Sequence, residues 1–163
     1  MASQIRQVVD GIARMLSNSE FFNTSPRIPV VVEDDKDVWS EIEQAFKKPG
    51  CMALVRFSEG DIQFPNVPGP STDPSTFQVV ISEFPQVWRS RSRNVPSATL
   101  IAEASAKILH HQKITDIDGN FLPSAASVMN VTAITAQQIE GSYQVIVDVE
   151  LPVRLAQDPN PTR

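Results

Sequence analysis

The sequence predicts an α+β fold in which helices pack on one face of a largely antiparallel mixed sheet. Two segments, 3–17 and 97–111, space their apolar residues three and four apart, as amphipathic helices do. Several β-branched runs indicate strands, and the last of them alternates apolar and polar residues from Tyr143 to Leu151. The resulting order is helix, strand, helix, strand, strand, helix, strand, strand. That order favours a sandwich of helices on a sheet.

Length and composition predict one domain. The chain has 163 residues and 41% apolar content, which suffices for a single core, and we place the domain at 1–155. The polar tail AQDPNPTR, at 156–163, is predicted to be disordered. Thirteen prolines against six glycines indicate stiff, extended connections between the elements.

The first half of the chain contains two predicted helices with a short strand between them. Ser3 is placed to cap the first helix, and Gly11 weakens it by ~1 kcal/mol relative to alanine, so tertiary contacts must hold it. The run IPVVV predicts a brief strand, and DDKDVWSEIEQAFKKPG predicts the second helix. We expect Trp39 at the edge of the core. The predicted buried stripe of this helix is Val38, Ile42, Ala45 and Phe46.

The second half contains the strands of the predicted sheet. CMALVRFSEG and FQVVISEF are both predicted strands, the second buried on both faces because its central residues are all apolar. Four prolines in 61–75 predict a long loop that projects from the sheet. Ser97 is placed to cap the next helix, and a turn at 140–142 joins the last two strands.

A basic arm at 85–96 is the main candidate for binding a partner. Its arginines alternate with serines, so in an extended arm they point to one side, where they can pair with carboxylates or phosphates. The net charge of -5 disfavours sequence-specific binding of nucleic acid, so protein carboxylates are the favoured partner. The alternative is that this arm and the acidic segment at 33–37 are both solvated loops. The predicted basic contact residues are Trp88, Arg89, Arg91 and Arg93, and the complementary acidic residues are Glu33, Asp34, Asp35 and Asp37.

The sequence shows no motif for catalysis, and we expect no catalytic residue, no metal and no cofactor. It lacks glycine-rich phosphate loops and a nucleophile elbow. Cys51 lies in an apolar run and is predicted to be a core residue. DIDGN at 116–120 resembles a calcium loop but is better explained as an ordinary turn. His110 and His111 point about 100° apart on a helix and cannot easily share one metal.

Neither a membrane span nor a leader is predicted from the sequence. No apolar run approaches the ~20 residues that cross a bilayer. The first residues, MASQIRQVVDG, have neither the basic nor the apolar region of a signal peptide. We therefore expect a cytosolic protein with no membrane partner.

Taken together, these segments resemble the tail-terminator or tail-completion proteins of long-tailed bacteriophages and related contractile particles. The resemblance rests on a leading helix, a second helix, a strand pair around a proline-rich excursion, VVISEF, the basic arm, ATLIAEASAKILHH and the final GSYQVIVDVELPV. In that family the corresponding helix ends in a leucine-histidine pair, which Leu109 and His110 match. The proline-rich 61–75 segment and the polar tail depart from the family pattern.

The resemblance implies a mechanical function. Such proteins form a ring, commonly hexameric, that docks on the end of the tail tube, stops its growth and offers a surface for joining the head or sheath. The implied partners are other copies of the chain, the tail tube protein and a head-completion or connector protein. The implied location is the neck end of the virion tail, after assembly in the host cytoplasm. The alternatives are a head-to-tail connector of the same particle and a cytosolic small-molecule-binding module or enzyme.

Overall fold

The computed structural model describes residues 3–24, 27–33, 37–47, 50–63, 70–84, 95–139 and 141–155. The helices are α1 (Gln4–Asn18), α2 (Glu20–Asn23), α3 (Val38–Lys47) and α4 (Ala98–Leu109), with a 3-10 turn at Pro123–Ala125. The strands are β1 (Val30–Val32), β2 (Cys51–Gln63), β3 (Ser71–Glu83), β4 (Asn130–Ile139), β5 (Ser142–Glu150) and β6 (Val153–Arg154). The predicted tail at 156–163 lies outside the described residues.

The described strands form one open, six-stranded sheet. Its order is β1-β2-β3-β5-β4, and β6 pairs with one end of β3. Only β1 and β2 run parallel; every other pair is antiparallel. The predicted fold class, α+β with a largely antiparallel mixed sheet, is confirmed.

The main core lies between the sheet and two helices. Apolar residues of α1, such as Ile12, and of α4, such as Ile101, pack on alternate residues of the central strands, among them Ile81 and Val147, all of which are fully buried. We call this side of the sheet the first face. The predicted helix caps are confirmed, because the Ser3 and Ser97 hydroxyls accept hydrogen bonds from N–H groups of the first turn of each helix.

One helix lies on the opposite side, which we call the second face, and here the prediction of helices on a single face was wrong. Ala45 of α3 packs with Val31 and Met52. Met52 precedes Ala53 on β2, and Ala53 belongs to the main core, so the two side chains point to opposite faces. The reason is local: α3 follows β1 immediately and has an apolar stripe of its own to bury.

The predicted loop at 61–75 was too long. β2 continues to Gln63 and β3 begins at Ser71, so Pro74 lies inside a strand. The register shifts between Gly60 and Ile62 of β2, opposite this part of β3. A proline lacks the N–H that a regular ladder needs, and such an irregularity accommodates it. Residues 64–69 lie outside the described residues.

The other strand predictions are confirmed, and two short elements were missed. Val79, Val80, Ile81 and Ser82 are all buried, as expected for a strand covered on both faces. β5 alternates buried and half-buried residues from Val145 onward. The missed elements are α2 and β6, which have four and two residues and are too short for a periodic signal.

Candidate assembly surfaces

Most of the residues predicted to contact a partner lie outside the described part of the chain. These are Trp88, Arg89, Arg91, Arg93, Asp34 and Asp35. The two described acidic residues, Glu33 and Asp37, are both exposed. Glu33 Oε1 lies 3.9 Å from Arg56 Nη1, so it has a basic neighbour in its own chain. Exposed ion pairs of this kind contribute at most about 1 kcal/mol.

The two elements that flank the predicted arm are joined directly. The Glu83 carboxylate, at the end of β3, accepts a hydrogen bond from the Ala98 N–H, 3.1 Å away in the first turn of α4. A carboxylate at a helix N-terminus is favourable because the N–H groups there carry partial positive charge. The arm segment therefore starts and ends on anchored structure.

Cys51 is a buried thiol that is not activated as a nucleophile. Its side chain is fully buried in the main core, which confirms the predicted core role. Burial, with a smaller contribution from the negative charge of Glu83, raises the pKa of the Cys51 thiol to about 11. The thiol therefore stays protonated at neutral pH, whereas reactive cysteines have a lowered pKa.

The aspartate-rich segment 116–120 forms a turn that is held by its own hydrogen bonds. Asp116 Oδ1 accepts from the backbone N–H groups of Asp118 and Asn120, both at 2.9 Å. The Asp116 N–H donates to the Asn120 carbonyl at 2.7 Å, and Gly119 has the positive φ of 84° that closes the turn. The prediction of an ordinary turn is confirmed. Within the described ranges, no group of three or more histidine, cysteine, aspartate or glutamate side chains is placed to hold a metal.

The same turn is fastened to the helical layer. Arg14 of α1 donates from Nη1 to the Thr115 carbonyl at 2.9 Å. Ile114 is fully buried, and its carbonyl accepts from the Leu122 N–H at 3.1 Å. The turn is therefore a rigid projection of the core.

This rigid turn presents two large apolar side chains to solvent. Ile117 is 82% exposed and Phe121 is 62% exposed. Lys113 Nζ lies 5.3 Å from the centroid of the Phe121 ring, which is within cation–π range. We call Ile117 and Phe121 the turn knob. Sequence reasoning missed it, although isolated apolar residues on either side of DGN were a usable signal.

Trp39 is another large apolar residue that is exposed, and the prediction that it sits at the core edge was wrong. Its side chain is 79% exposed. The stripe that α3 buries is narrow and centres on Ala45, with Val38 and Ile42 only partly buried beside it. Trp39 follows Val38 by one residue and so points about 100° away from that stripe. The side chain of Phe46 lies outside the described residues.

Strand β4 forms one edge of the sheet, and no described strand pairs with its outer side. All its residues from Thr132 to Ile139 are exposed, although the facing residues of β5 include buried ones. Its sequence, NVTAITAQQI, contains no charge, proline or glycine. Natural edge strands often carry a charge or a proline that prevents pairing with another chain. β4 therefore has the character of a strand that binds another strand.

His110 occupies the start of this edge. Its Nδ1 accepts a hydrogen bond from the Val131 N–H at 3.1 Å, so this N–H is already used within the chain. His111 follows with a φ of 61° and stacks on His110, with ring centroids 3.8 Å apart. The His111 N–H donates to the Met129 carbonyl at 2.8 Å. The histidine pair thus serves as the junction between α4 and the start of β4.

Polar side chains cross the second face of the sheet in two ladders. In one, Arg56 donates to Gln78 Oε1, and Gln78 Nε2 donates to Asp148 at 2.9 Å. In the other, Gln137 Nε2 donates to Gln144 Oε1 at 2.9 Å, and Gln144 Nε2 donates to Ser82 at 3.2 Å. The second ladder ends on β4, at Gln137.

No family model matches this chain, and no curated protein matches it either. No helix in the described part of the chain is both long and apolar enough to cross a membrane. The sequence resemblance, the fold and the surfaces above are therefore the basis for a functional proposal.

Proposed function

We propose that this chain is a structural assembly protein that forms a ring on the end of a phage-type tail tube, stops tube growth and provides a surface for head or sheath joining. The sequence resemblance names this role. The turn knob is the structural observation that supports it, because a turn fixed by its own hydrogen bonds holds Ile117 and Phe121 in solvent. Rigid, exposed apolar side chains are typical of surfaces that another protein covers.

The rest of the described surface supports a binding role. Trp39 is exposed on α3, and β4 is an uncharged open edge. Tryptophan and other aromatic residues are over-represented among the residues that dominate binding energy at protein interfaces. The partners we propose are other copies of the chain, the tail tube protein and a head-completion or connector protein, at the neck end of the virion.

Tube capping tests this function. The purified chain is added to the polymerising tail tube protein of the same particle, and tube length and end structure are measured by electron microscopy. We expect shorter tubes with a ring at one end. A wild-type chain that neither forms rings nor shortens tubes would contradict the proposal, and a chain found on the portal side of the neck would favour the connector alternative.

A double variant tests the contribution of the turn knob in the same assay. The double substitution Ile117→Ser and Phe121→Ser should weaken capping about tenfold or more, since two exposed anchors are lost. Its thermal unfolding should change little, because both side chains are exposed. The control is Thr99→Ser, a small change at an exposed position on α4. Full capping by the double variant would show that the turn knob does not contact the tube.

The predicted arm is tested separately. Replacing Arg89, Arg91 and Arg93 together with serine should abolish ring formation in sedimentation or tube capping, because charge complementarity to carboxylates is lost. Unchanged assembly in both measurements would show that the arm is only a solvated loop.

A further inference from the structure

The outer edge of β4 has peptide groups that no described strand pairs with. Ile139 lies opposite Ser142, and only two residues separate them in the sequence. In a two-residue hairpin this closing pair exchanges hydrogen bonds, and the pattern then alternates along the strand. Residues 139, 137 and 135 therefore turn their peptide groups to β5. Gln138, Ala136 and Ile134 turn theirs outward.

The free edge has two clear ends. At its start, the Val131 N–H is taken by His110, and the register shifts between Val131 and Ala133. At its other end the chain turns at Gly141, which has a φ of 79°. The free run is therefore 133–139, and its midpoint is Ala136.

We propose that β4 pairs with β4 of a second copy of the chain, antiparallel, about a two-fold axis at Ala136. In this register Ala136 faces Ala136 of the second copy, and Ile134 faces Gln138. All three are outward-turned residues, as hydrogen-bonded pairing requires. The two sheets become one continuous sheet. Addition of a strand to an open edge is a common mode of protein recognition.

At this edge, charge does not oppose a second copy as the occupant. The chain has a net charge of -5, so two copies repel over most of their surfaces. β4 has no charged residue, and identical strands can approach there without like charges in opposition. The opposite edge of the sheet, β1, has only three residues and two of them are buried, so it is a poor competitor.

The side chains of the second face also complement one another. The ladder Gln137→Gln144→Ser82 uses the amide N–H of Gln137 and leaves its Oε1 without a donor among the described residues. The proposed register places Thr135 of the second copy opposite Gln137, and its hydroxyl can donate to that oxygen. On the same face, Ile139, which is 46% exposed, meets the small Ala133.

This pairing goes beyond the proposed ring and does not depend on it. A two-fold contact joins copies in pairs and does not by itself close a ring, which needs a second, unlike surface. Two-fold pairing through β4 would join two rings face to face or hold free chains as dimers.

Disulfide trapping tests the register. In a Cys51→Ala background, Ala136→Cys places two thiols on Cα atoms about 5.5 Å apart across the axis, which suits a disulfide. Oxidation should give a cross-linked species at twice the 18.0 kDa of one chain on a denaturing gel. Gln138→Cys in the same background is the control, because its symmetry mate lies several residues away along the strand, and it should stay uncross-linked. A folded Ala136→Cys variant that does not cross-link, or equal cross-linking of both variants, overturns the proposal.

Sedimentation of the Ala136→Lys variant tests the same contact without a covalent cross-link. Two lysines would face each other on the axis, and the dimer dissociation constant should rise about tenfold or more. Ala126→Lys makes the same charge change at an exposed position away from β4 and should leave dimerisation unchanged. A wild-type chain that is monomeric at tens of micromolar, or equal weakening by both variants, would overturn the pairing. The outcome is separate from tube capping, which tests the ring.

Discussion

Gly11 lies in the middle of α1, where glycine is normally unfavourable by about 1 kcal/mol relative to alanine. The structure shows why it is there. A Cβ built at this position would overlap Cγ2 of Ile114, which is fully buried and lies just before the turn. The sequence indicated that tertiary contacts must hold this helix, and the close approach of Ile114 is such a contact.

We expect Gly11→Ala to destabilise the protein by about 1–3 kcal/mol in spite of its better helix propensity, because the added methyl group overpacks the site. Chemical denaturation measures the change. The same substitution in an Ile114→Ala background is the control, since the space is then open, and there it should be neutral or stabilising. An equal loss in both backgrounds would contradict the packing explanation.

At the residue scale, local signals were predictable and surface positions were not. Ser3 and Ser97 are caps because a short hydroxyl before a helix is nearly always used by the free N–H groups of its first turn. Trp39 was misplaced because its exposure depends on how wide a stripe α3 buries, which the helix alone does not determine.

The turn at 116–120 is the element in which the sequence most directly explains an exposed surface. Asp116 uses one carboxylate oxygen for two backbone N–H groups, so its side chain holds the shape that presents Ile117. Asp118 has the same charge in the same turn, and its carboxylate accepts no hydrogen bond that is seen in the described part of the chain. The two residues form a matched pair for experiment.

Asp116→Ala should loosen the turn, because two charge-assisted hydrogen bonds are lost at an exposed site, with a cost of about 1 kcal/mol. Hydrogen exchange of the Asp118 and Asn120 amides should speed up at least tenfold. Asp118→Ala is the control and should leave both amides as slow as in the wild type. If the two variants behave alike, the Asp116 carboxylate does not hold the turn.

At the scale of elements, strand existence was easier to predict than strand length. The apolar run in β3 and the alternation in β5 identify both strands, because burial on two faces or one face leaves those patterns. The ends of β2 and β3 were missed because the four prolines argued for a loop, whereas a register shift lets Pro74 stay inside the strand.

The whole molecule has two apolar clusters of unequal size, one on each face of the sheet. The main core on the first face contains residues of α1, α4 and most strands. The smaller cluster consists of Val31, Ala45 and Met52, with a few partly buried neighbours. α3 is therefore attached to the sheet by a small separate core.

We expect Ala45→Asp to detach α3 while the rest of the sheet remains folded, because the carboxylate would be buried in the smaller cluster only. Hydrogen exchange should become fast in 38–47 and stay slow in β3 and β5. Gln44→Asp places the same group at an exposed position on the same helix and should change neither. Cooperative unfolding of the whole chain by Ala45→Asp would show that the two clusters are one unit.

Some candidate surfaces could be predicted from the sequence, and others are seen only in the structure. The arm and the acidic segment are visible as charge patterns, because charge is a property of the sequence. The turn knob and the β4 edge are not visible in that way, because an exposed isoleucine and a buried one are identical in a sequence. Their exposure depends on which elements cover them.

The amino-acid sequence by itself determined the fold class, the helix caps, the core strands and the absence of recognisable catalytic motifs, since each of these follows from local propensity or periodicity. Only the tertiary structure decided that α3 lies on the second face, that Gly11 meets Ile114, and that β4 is left as an open edge. These features depend on contacts between residues far apart in the chain, and the pattern within one element does not specify its neighbours.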